Sequence, residues 1–259
     1  MNSSSRQTIA IIGGGAGGCC SALALARTGR FNIYLLEKNE ELMRESSDVT
    51  SGRMGLGFHY ADKGTALYYL HATIEFSRRE ILDTYNALKE EYTKMVLEDA
   101  RNEIFGPPEH FYRILEPYEF EKDVAMETIA MGIETAEELL DWPSLRRFII
   151  SQLELFQDEN TVTIKTNTEV TEISAVSDRC GYVIDTVSMP EGDVVKIFAD
   201  ITVNASWYNI AKFNKMVGIS AWARKRCNRI KAIATVHLPE DLANMPSMFF
   251  LHGPLWHVF

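Results

Sequence analysis

Apolar and polar positions recur along this chain with two different periods, and the changes of period divide it. Residues 8–12 are a short β-branched run without polar interruption, the pattern of a strand buried on both faces. A glycine turn occupies 13–18. Residues 19–28 then read as a helix of small and apolar residues, closed by Gly29 at a C-cap position. A second apolar strand, 32–36, ends on Glu37.

The pattern then changes. Residues 46–60 are a polar loop holding Gly52, Gly55 and Gly57. Residues 62–83 have helical spacing, with Ala66, Leu67, Leu70, Ile74, Ile81 and Leu82 on one side. A second, charged helix is expected over 86–103, broken by Gly106-Pro107-Pro108. Residues 116–140 are acidic and weakly helical. Pro143 suits a first helical turn, and Leu145, Phe148, Ile149, Leu153 and Phe156 form the apolar stripe that follows it. From Thr161 the period becomes two. Strands are expected over 161–165, 169–173, 182–188 and 194–198, with Pro190-Glu191-Gly192-Asp193 as a hairpin turn between the last two. A short strand at 201–203 ends at Asn204-Ala205, and 229–238 and 247–251 suit strands of a different sheet. No internal repeat or low-complexity segment interrupts this order.

Composition narrows the function classes. With 259 residues, 46% of them hydrophobic, the chain can bury one large core or two smaller ones. Twenty-six basic against thirty-six acidic residues give a net charge of -10, which phosphate backbones would repel, so nucleic acid is not an expected partner. The basic group Arg224-Lys225-Arg226 with Arg229 reads as a solvated turn. No apolar run is long enough to cross a bilayer, and residues 1–7 lack the apolar stretch of a signal peptide. Cys19, Cys20, Cys180 and Cys227 show no metal-ligand spacing and are expected as reduced thiols in a cytoplasmic protein.

Gly13, Gly15 and Gly18 form G-x-G-x-x-G. The first glycine permits a tight turn out of the strand, the second lets a pyrophosphate approach the backbone, and the third lets helix and strand pack closely. The helix start then aims unpaired N–H groups and a partial positive charge at the phosphates. The bland alternative is a tight turn without a ligand. The preceding strand, the following helix and Glu37 at the end of the next strand together weigh against it. A carboxylate at Glu37 suits a ribose diol and repels a 2′-phosphate. A nicotinamide-binding domain would continue as alternating strands and helices. This chain instead spends more than a hundred residues on loop and helix before closely spaced strands, which suits FAD.

These residues resemble the D-amino-acid-oxidase-type FAD-dependent oxidoreductases. The likeness rests on Ile9-Ala10-Ile11-Ile12-Gly13-Gly14-Gly15-Ala16-Gly17-Gly18 with Glu37. Thr50-Ser51-Gly52-Arg53-Met54-Gly55-Leu56-Gly57-Phe58-His59 resembles that family's loop beneath the flavin. Val170 matches a valine whose backbone meets the adenine, and Val203-Asn204-Ala205-Ser206-Trp207 matches a strand end near the cofactor. Phe249-Phe250-Leu251-His252-Gly253-Pro254 resembles a substrate-domain strand and turn. The resemblance implies an α/β fold: an FAD-binding Rossmann-like domain with a helical insertion, and an incomplete β-rich substrate domain. The expected divisions are 1–60 for the βαβ unit and flavin loop, 61–140 for the insertion, 141–218 for the rest of the FAD domain and 219–259 for part of a substrate domain. It implies FAD contacts from Gly13, Gly15, Ala16, Gly17, Gly18, Glu37, Lys38, Ser51, Gly52, Arg53, Val170 and Ala205. Relatives of this type continue past the point where Phe259 stands, so a C-terminal portion that completes the flavin pocket is expected to be missing.

The remaining candidates each have two readings. His59 would face the flavin as a hydrogen-bond donor, base or substrate contact, or be a loop histidine without chemistry. Arg53 would meet a phosphate or a substrate carboxylate, or be solvated. Cys19 and Cys20 adjoin a helix start that lowers thiol pKa, but small buried cysteines more often just pack. His252 and His257 lack zinc spacing. The function expected is oxidation of a small amine, amino acid or hydroxy compound by hydride transfer to the flavin. The alternative is a non-catalytic or truncated FAD-binding protein. The apolar end Leu255-Trp256-His257-Val258-Phe259 is expected to promote self-association.

Overall fold

A computed structural model describes residues 6–50, 52, 78–129, 131–176, 180–219, 237–242, 247–248, 250–251 and 257–258. The chain forms two compact units, one from residues 1–52 and 141–233 and the other from 53–140 and 234–259.

The first unit carries a parallel sheet built from β1 (Gln7–Ile12), β2 (Phe31–Leu36), β5 (Val162–Lys165) and β9 (Ile201–Asn204), in the order β5-β2-β1-β9. Strand alternation sorts its side chains between two cores. Ile9, Ile11, Ile33, Leu35 and Val162 face helices α1 (Ala16–Ala26) and α3 (Trp142–Asp158). Ala10, Ile12 and Leu36 face the other way, onto a three-stranded antiparallel sheet. That sheet is β6 (Thr168–Ala175), β7 (Tyr182–Ser188) and β8 (Val194–Ala199), and it contributes Val170, Ile173, Ile184, Ile197 and Ala199. A short helix α4 (Ile210–Met216) adds Phe213 to this second core. Because both faces are covered past their first two residues, β1 and β2 read as apolar runs over 9–12 and 33–36. Each fully buried Ile or Leu side chain contributes about 1.5–3 kcal/mol.

The local signals of this unit largely bear out the expected elements. Gly29 adopts φ 65 and its N–H donates to Ala26 O at 2.9 Å, closing α1. Gly192, at φ 78, donates to Ser188 O at 2.8 Å and makes the turn between β7 and β8. The Asp141 carboxylate accepts from the Ser144 N–H at 3.1 Å and starts α3, with Pro143 in its first turn. One position departs from the expectation. Phe148 was assigned to the apolar stripe of α3 but is 52% exposed. At about 100° per residue, Leu145, Ile149, Leu153 and Phe156 share one face, whereas Phe148 falls to its side together with exposed Leu155.

The second unit is described through α2 (Arg78–Glu98), β3 (Tyr112–Leu115) and β4 (Gly132–Thr135), with β3 and β4 paired antiparallel. Tyr85, Tyr92 and Phe111 form its core, and the Tyr92 and Phe111 rings stack at 4.4 Å. One helix runs here across the expected break between 83 and 86. It stops at Glu98, not at the glycine-proline cluster, because extended Asp99 turns its carboxylate onto the Arg101 N–H at 3.0 Å. The weakly helical reading of 116–140 is corrected as well. That segment holds short 3₁₀ turns and β4, whose Glu134 pairs with Arg113 across the hairpin. Phe250–Leu251 pairs with His257–Val258 as two short antiparallel strands, β10 and β11. The expected helix over 62–77, the strand over 229–236, the basic group at 224–229, and Leu255, Trp256 and Phe259 lie outside the described residues. Among the described residues no helix is long and apolar enough to cross a membrane.

Candidate functional site

At the C-terminal ends of β1, β2 and β9 the first unit opens a cleft of about 410 Å³. This is where open parallel sheets place their ligands. Its floor is the glycine turn. Gly13 takes φ 103, and an added Cβ there would stand 2.6 Å from Ala205 O. A Cβ on Gly18 would stand 1.8 Å from Gly13 O, so α1 can lie on β1 only without one. Gly17 differs: no described atom lies within 4 Å of the place a Cβ would take, and the residue lines the cleft. The N–H groups of Gly15, Gly17 and Gly18 have no acceptor among the described residues, as expected of a helix start that faces a ligand.

Glu37 is buried at the end of β2 and lines the same cleft. Its Oε2 accepts from the Gly14 N–H at 2.6 Å, and its Oε1 accepts from the Asn39 N–H at 2.8 Å and Asn39 Nδ2 at 2.7 Å. Three of about four acceptor positions on this carboxylate are therefore taken by the protein itself. Lys38 donates to Glu45 Oε1 at 2.6 Å and to the Tyr208 hydroxyl at 2.5 Å. Those two hydrogen bonds, Glu45 first, hold its ammonium pKa above the usual lysine range. Asn204 shapes the opposite wall. Its Oδ1 accepts from Ser206 Oγ at 2.6 Å, while its Nδ2 donates to Ile210 O and Asn214 Oδ1. This sets Ala205 and Ser206 across from the glycine turn.

Of the expected contact residues, Gly13, Gly15, Ala16, Gly17, Glu37, Lys38, Val170 and Ala205 line this one cleft. Gly18 lies behind it as packing, and Gly52 is buried at φ 70 without lining it. Ser51, Arg53 and His59 lie outside the described residues. Cys19 is fully buried, with its thiol 3.1 Å from Gly14 O. Burial first, then the nearby Cys20 and Glu37, push that thiol up to about 12, which suits packing and not redox chemistry.

Exposed Trp207, the last residue of the strand-end motif expected near the cofactor, lines the cleft, and Ser47 and exposed Tyr208 line it without having been expected there. Ser47 Oγ accepts from the Ala16 N–H at 3.0 Å, capping the helix start from a distant loop. The only sequence signal for it is the Ser46-Ser47 pair just ahead of the loop that resembles the flavin segment. Among the described residues no group of three or more His, Cys, Asp or Glu is arranged to hold a metal ion.

A parallel sheet with this glycine turn, bare helix start and buried carboxylate defines a dinucleotide-binding protein. The family whose description is DAO, FAD dependent oxidoreductase, matches residues 8–247 of this chain. The chain therefore belongs to that family, as its sequence resemblance implied, and its cofactor is FAD. Among solved structures, L-proline dehydrogenase from P. horikoshii is similar at 17% identity and TM-score 0.51, over 85% of this chain and 57% of that one. L-alpha-glycerophosphate oxidase from Mycoplasma pneumoniae, with FAD bound, is 22% identical over 69% of this chain and 49% of its own, with TM-score 0.40. The FAD-complexed glycerol-3-phosphate dehydrogenase from Bacillus halodurans is 16% identical over 81% of this chain and 36% of its own, with TM-score 0.41. The chain thus spans about half the length of the first two and about a third of the last. No curated protein sequence matches it significantly.

Proposed function

We propose that this chain binds FAD in the 410 Å³ cleft and serves an oxidoreductase that oxidises a small amine, amino acid or hydroxy compound in the cytoplasm. The observation that carries the reading is the presence of acceptor-free N–H groups at Gly15 and Gly17 and of buried Glu37 in the lining of the same cleft. Bound there, FAD supplies the acceptor for a hydride from the substrate carbon. The protein's residues do the binding and orienting. Gly15 and Gly17 present bare backbone to the pyrophosphate, with Ala16 between them held by Ser47 Oγ. Glu37 keeps one acceptor position for a ribose hydroxyl, because Gly14 and Asn39 hold the others. Val170 and Lys38 flank the adenine end. Ser51, Gly52, Arg53 and His59 are assigned to the flavin side by family resemblance, and residues 219–259 to the substrate-binding part.

The test is release of the cofactor from purified protein by denaturation, followed by anaerobic reduction of the flavin spectrum with candidate substrates. L-Proline is a sensible first choice, since the P. horikoshii neighbour is named for it. Recovery of FAD with bleaching of its visible bands by an amino acid, amine or hydroxy compound is the expected result. A folded protein that ignores added FAD, or that releases only NAD, would sink the reading.

A further inference from the structure

We propose that Trp142 and Arg146, which lie behind the cleft on α3, are positioning residues for the pyrophosphate subsite. They hold the 41–48 segment against the glycine turn and so set where the Ser47 hydroxyl stands. The inference rests on the FAD reading above and extends it to residues that do not line the cleft. The 41–48 segment leaves β2 with Met43 at φ 57 and Glu45 at φ 58. Side chains other than glycine avoid this conformation, so it needs support from its surroundings.

Support comes from two sides. Toward the cleft, the Met43 N–H donates to Gly14 O at 2.8 Å, and Ser47 Oγ accepts from the Ala16 N–H at 3.0 Å. Leu42 packs so tightly on Gly14 that a Cβ there would stand 2.6 Å from its Cδ2. Toward α3, Trp142 Nε1 donates to Ser47 O at 2.7 Å, Arg146 Nη1 pairs with the Asp48 carboxylate, and Arg146 Nη2 donates to Leu42 O at 3.3 Å. The Arg146 side chain is only 19% exposed, so this pair is better shielded than a surface salt bridge. The helix supplying both residues is itself anchored in the core by Ile149 and Leu153.

A continuous path therefore runs from the core, through α3 and the 41–48 segment, to the Ala16 amide. The Ser47 hydroxyl accepts from that amide and keeps its own hydrogen to donate. A phosphate oxygen reaching the free N–H groups of Gly15 and Gly17 then meets a third donor whose position α3 determines.

The test compares Trp142→Phe, Arg146→Met and Ser47→Ala in the full chain. Without ligand, amide exchange of peptides covering 13–18 and 41–48 should rise about tenfold in the first two variants, while peptides from β6 and β7 stay unchanged. FAD titration should show Kd raised about tenfold by each α3 variant, the scale expected for one lost charge-assisted or buried hydrogen bond. In a Ser47→Ala background the same substitutions should add little. Trp142→Phe deletes a single N–H and keeps the ring, so it carries the test if Arg146→Met fails to fold. Unchanged exchange at 41–48, or full additivity with Ser47→Ala, overturns the proposal. A wild-type chain that binds no FAD overturns the cofactor reading and the subsite role with it, while the exchange comparison separately reports the clamp.

Discussion

Gly17 and Gly18 are neighbours in the first turn of α1, yet a methyl group at each meets opposite surroundings. At Gly17 it enters open space in the cleft, and at Gly18 it strikes the Gly13 carbonyl at 1.8 Å. Alanine at Gly17 should therefore leave the ligand-free protein at least as stable, with a gain near 0.5 kcal/mol from helix propensity. Alanine at Gly18 should cost more than about 2 kcal/mol, since backbone must move. Urea denaturation without ligand, paired with FAD titration, separates the two: Gly17→Ala should lose affinity and not stability. Equal losses of stability would show that Gly17 does not face the ligand. Cys19 allows a second test at this scale. Its thiol is raised from 9.0 to about 12 in the folded chain, so the unfolded chain loses its proton first as pH rises. The stability linked to this group is full below pH 9 and is lost between pH 9 and 12. Cys19→Ala should flatten that part of a stability–pH profile. In native protein, exposed Cys20 and Cys180 should react with a thiol reagent while Cys19 stays protected. The glycine turn and Glu37 were legible because each role follows from local spacing. Ser47, Trp142 and Arg146 were not, because their roles come from approaches across the fold: Trp142 meets Ser47 over 95 residues of sequence.

The helix α3 shows how far periodicity carries at the level of elements. Its position, cap and proline were readable, and four of five stripe residues pack as expected. Phe148 failed because an apolar residue beside the stripe looks the same in sequence as one within it. Energy separates them. Leu153→Ala removes a fully buried side chain between α1 and the parallel sheet and should cost about 2–5 kcal/mol. Phe148→Ala should cost less than about 1 kcal/mol, because half of that ring already meets water. Thermal or urea unfolding of the two variants measures the contrast, and a large loss at Phe148 would mean the ring is covered. The strands of the first unit were legible for a related reason. Runs covered on both faces, such as β1 and β2, and alternating runs, such as β7, each bury enough side chains to leave a pattern. The four-residue strands β3 and β4 leave none. Their pairing depends on cross-strand partners such as Arg113 and Glu134, and on a core of Tyr92 and Phe111 that comes from distant positions.

At the scale of the molecule, the described cleft belongs wholly to the first unit, and the proposed contacts within it account for one half of a dinucleotide. The glycine turn is proposed for the pyrophosphate and Glu37 for a ribose, and the flavin-side candidates Ser51, Arg53 and His59 lie outside the described residues. ADP alone should then occupy this cleft and compete with FAD. A ligand bound only by the folded state stabilises it by about 2.7 kcal/mol at a hundred times its Kd. Saturating ADP should thus raise the melting temperature by an amount that grows with its concentration. Charge makes the test sharper. Glu37 and Glu45 stand at the end proposed for the ribose, and the two cations lining the cleft are already engaged, Lys38 with Glu45 and Tyr208 and Arg44 with Glu41 and Asp48. A 2′-phosphate placed there would meet like charge without a free cation among the described residues. The chain's net charge of -10 adds repulsion at long range. Adenosine 2′,5′-bisphosphate should therefore stabilise far less than ADP at equal concentration and low salt. Replacing Glu37 by Gln should narrow the difference between the two nucleotides, since it removes the nearer charge; its one oxygen can serve the Gly14 N–H while its NH2 then faces the Asn39 donors, so each shift is read against the ligand-free melting temperature of the same variant. Melting curves with the two nucleotides, for wild type and Glu37→Gln, decide the matter. Equal stabilisation of the wild type by both would mean that the carboxylate end of this cleft does not meet the ribose.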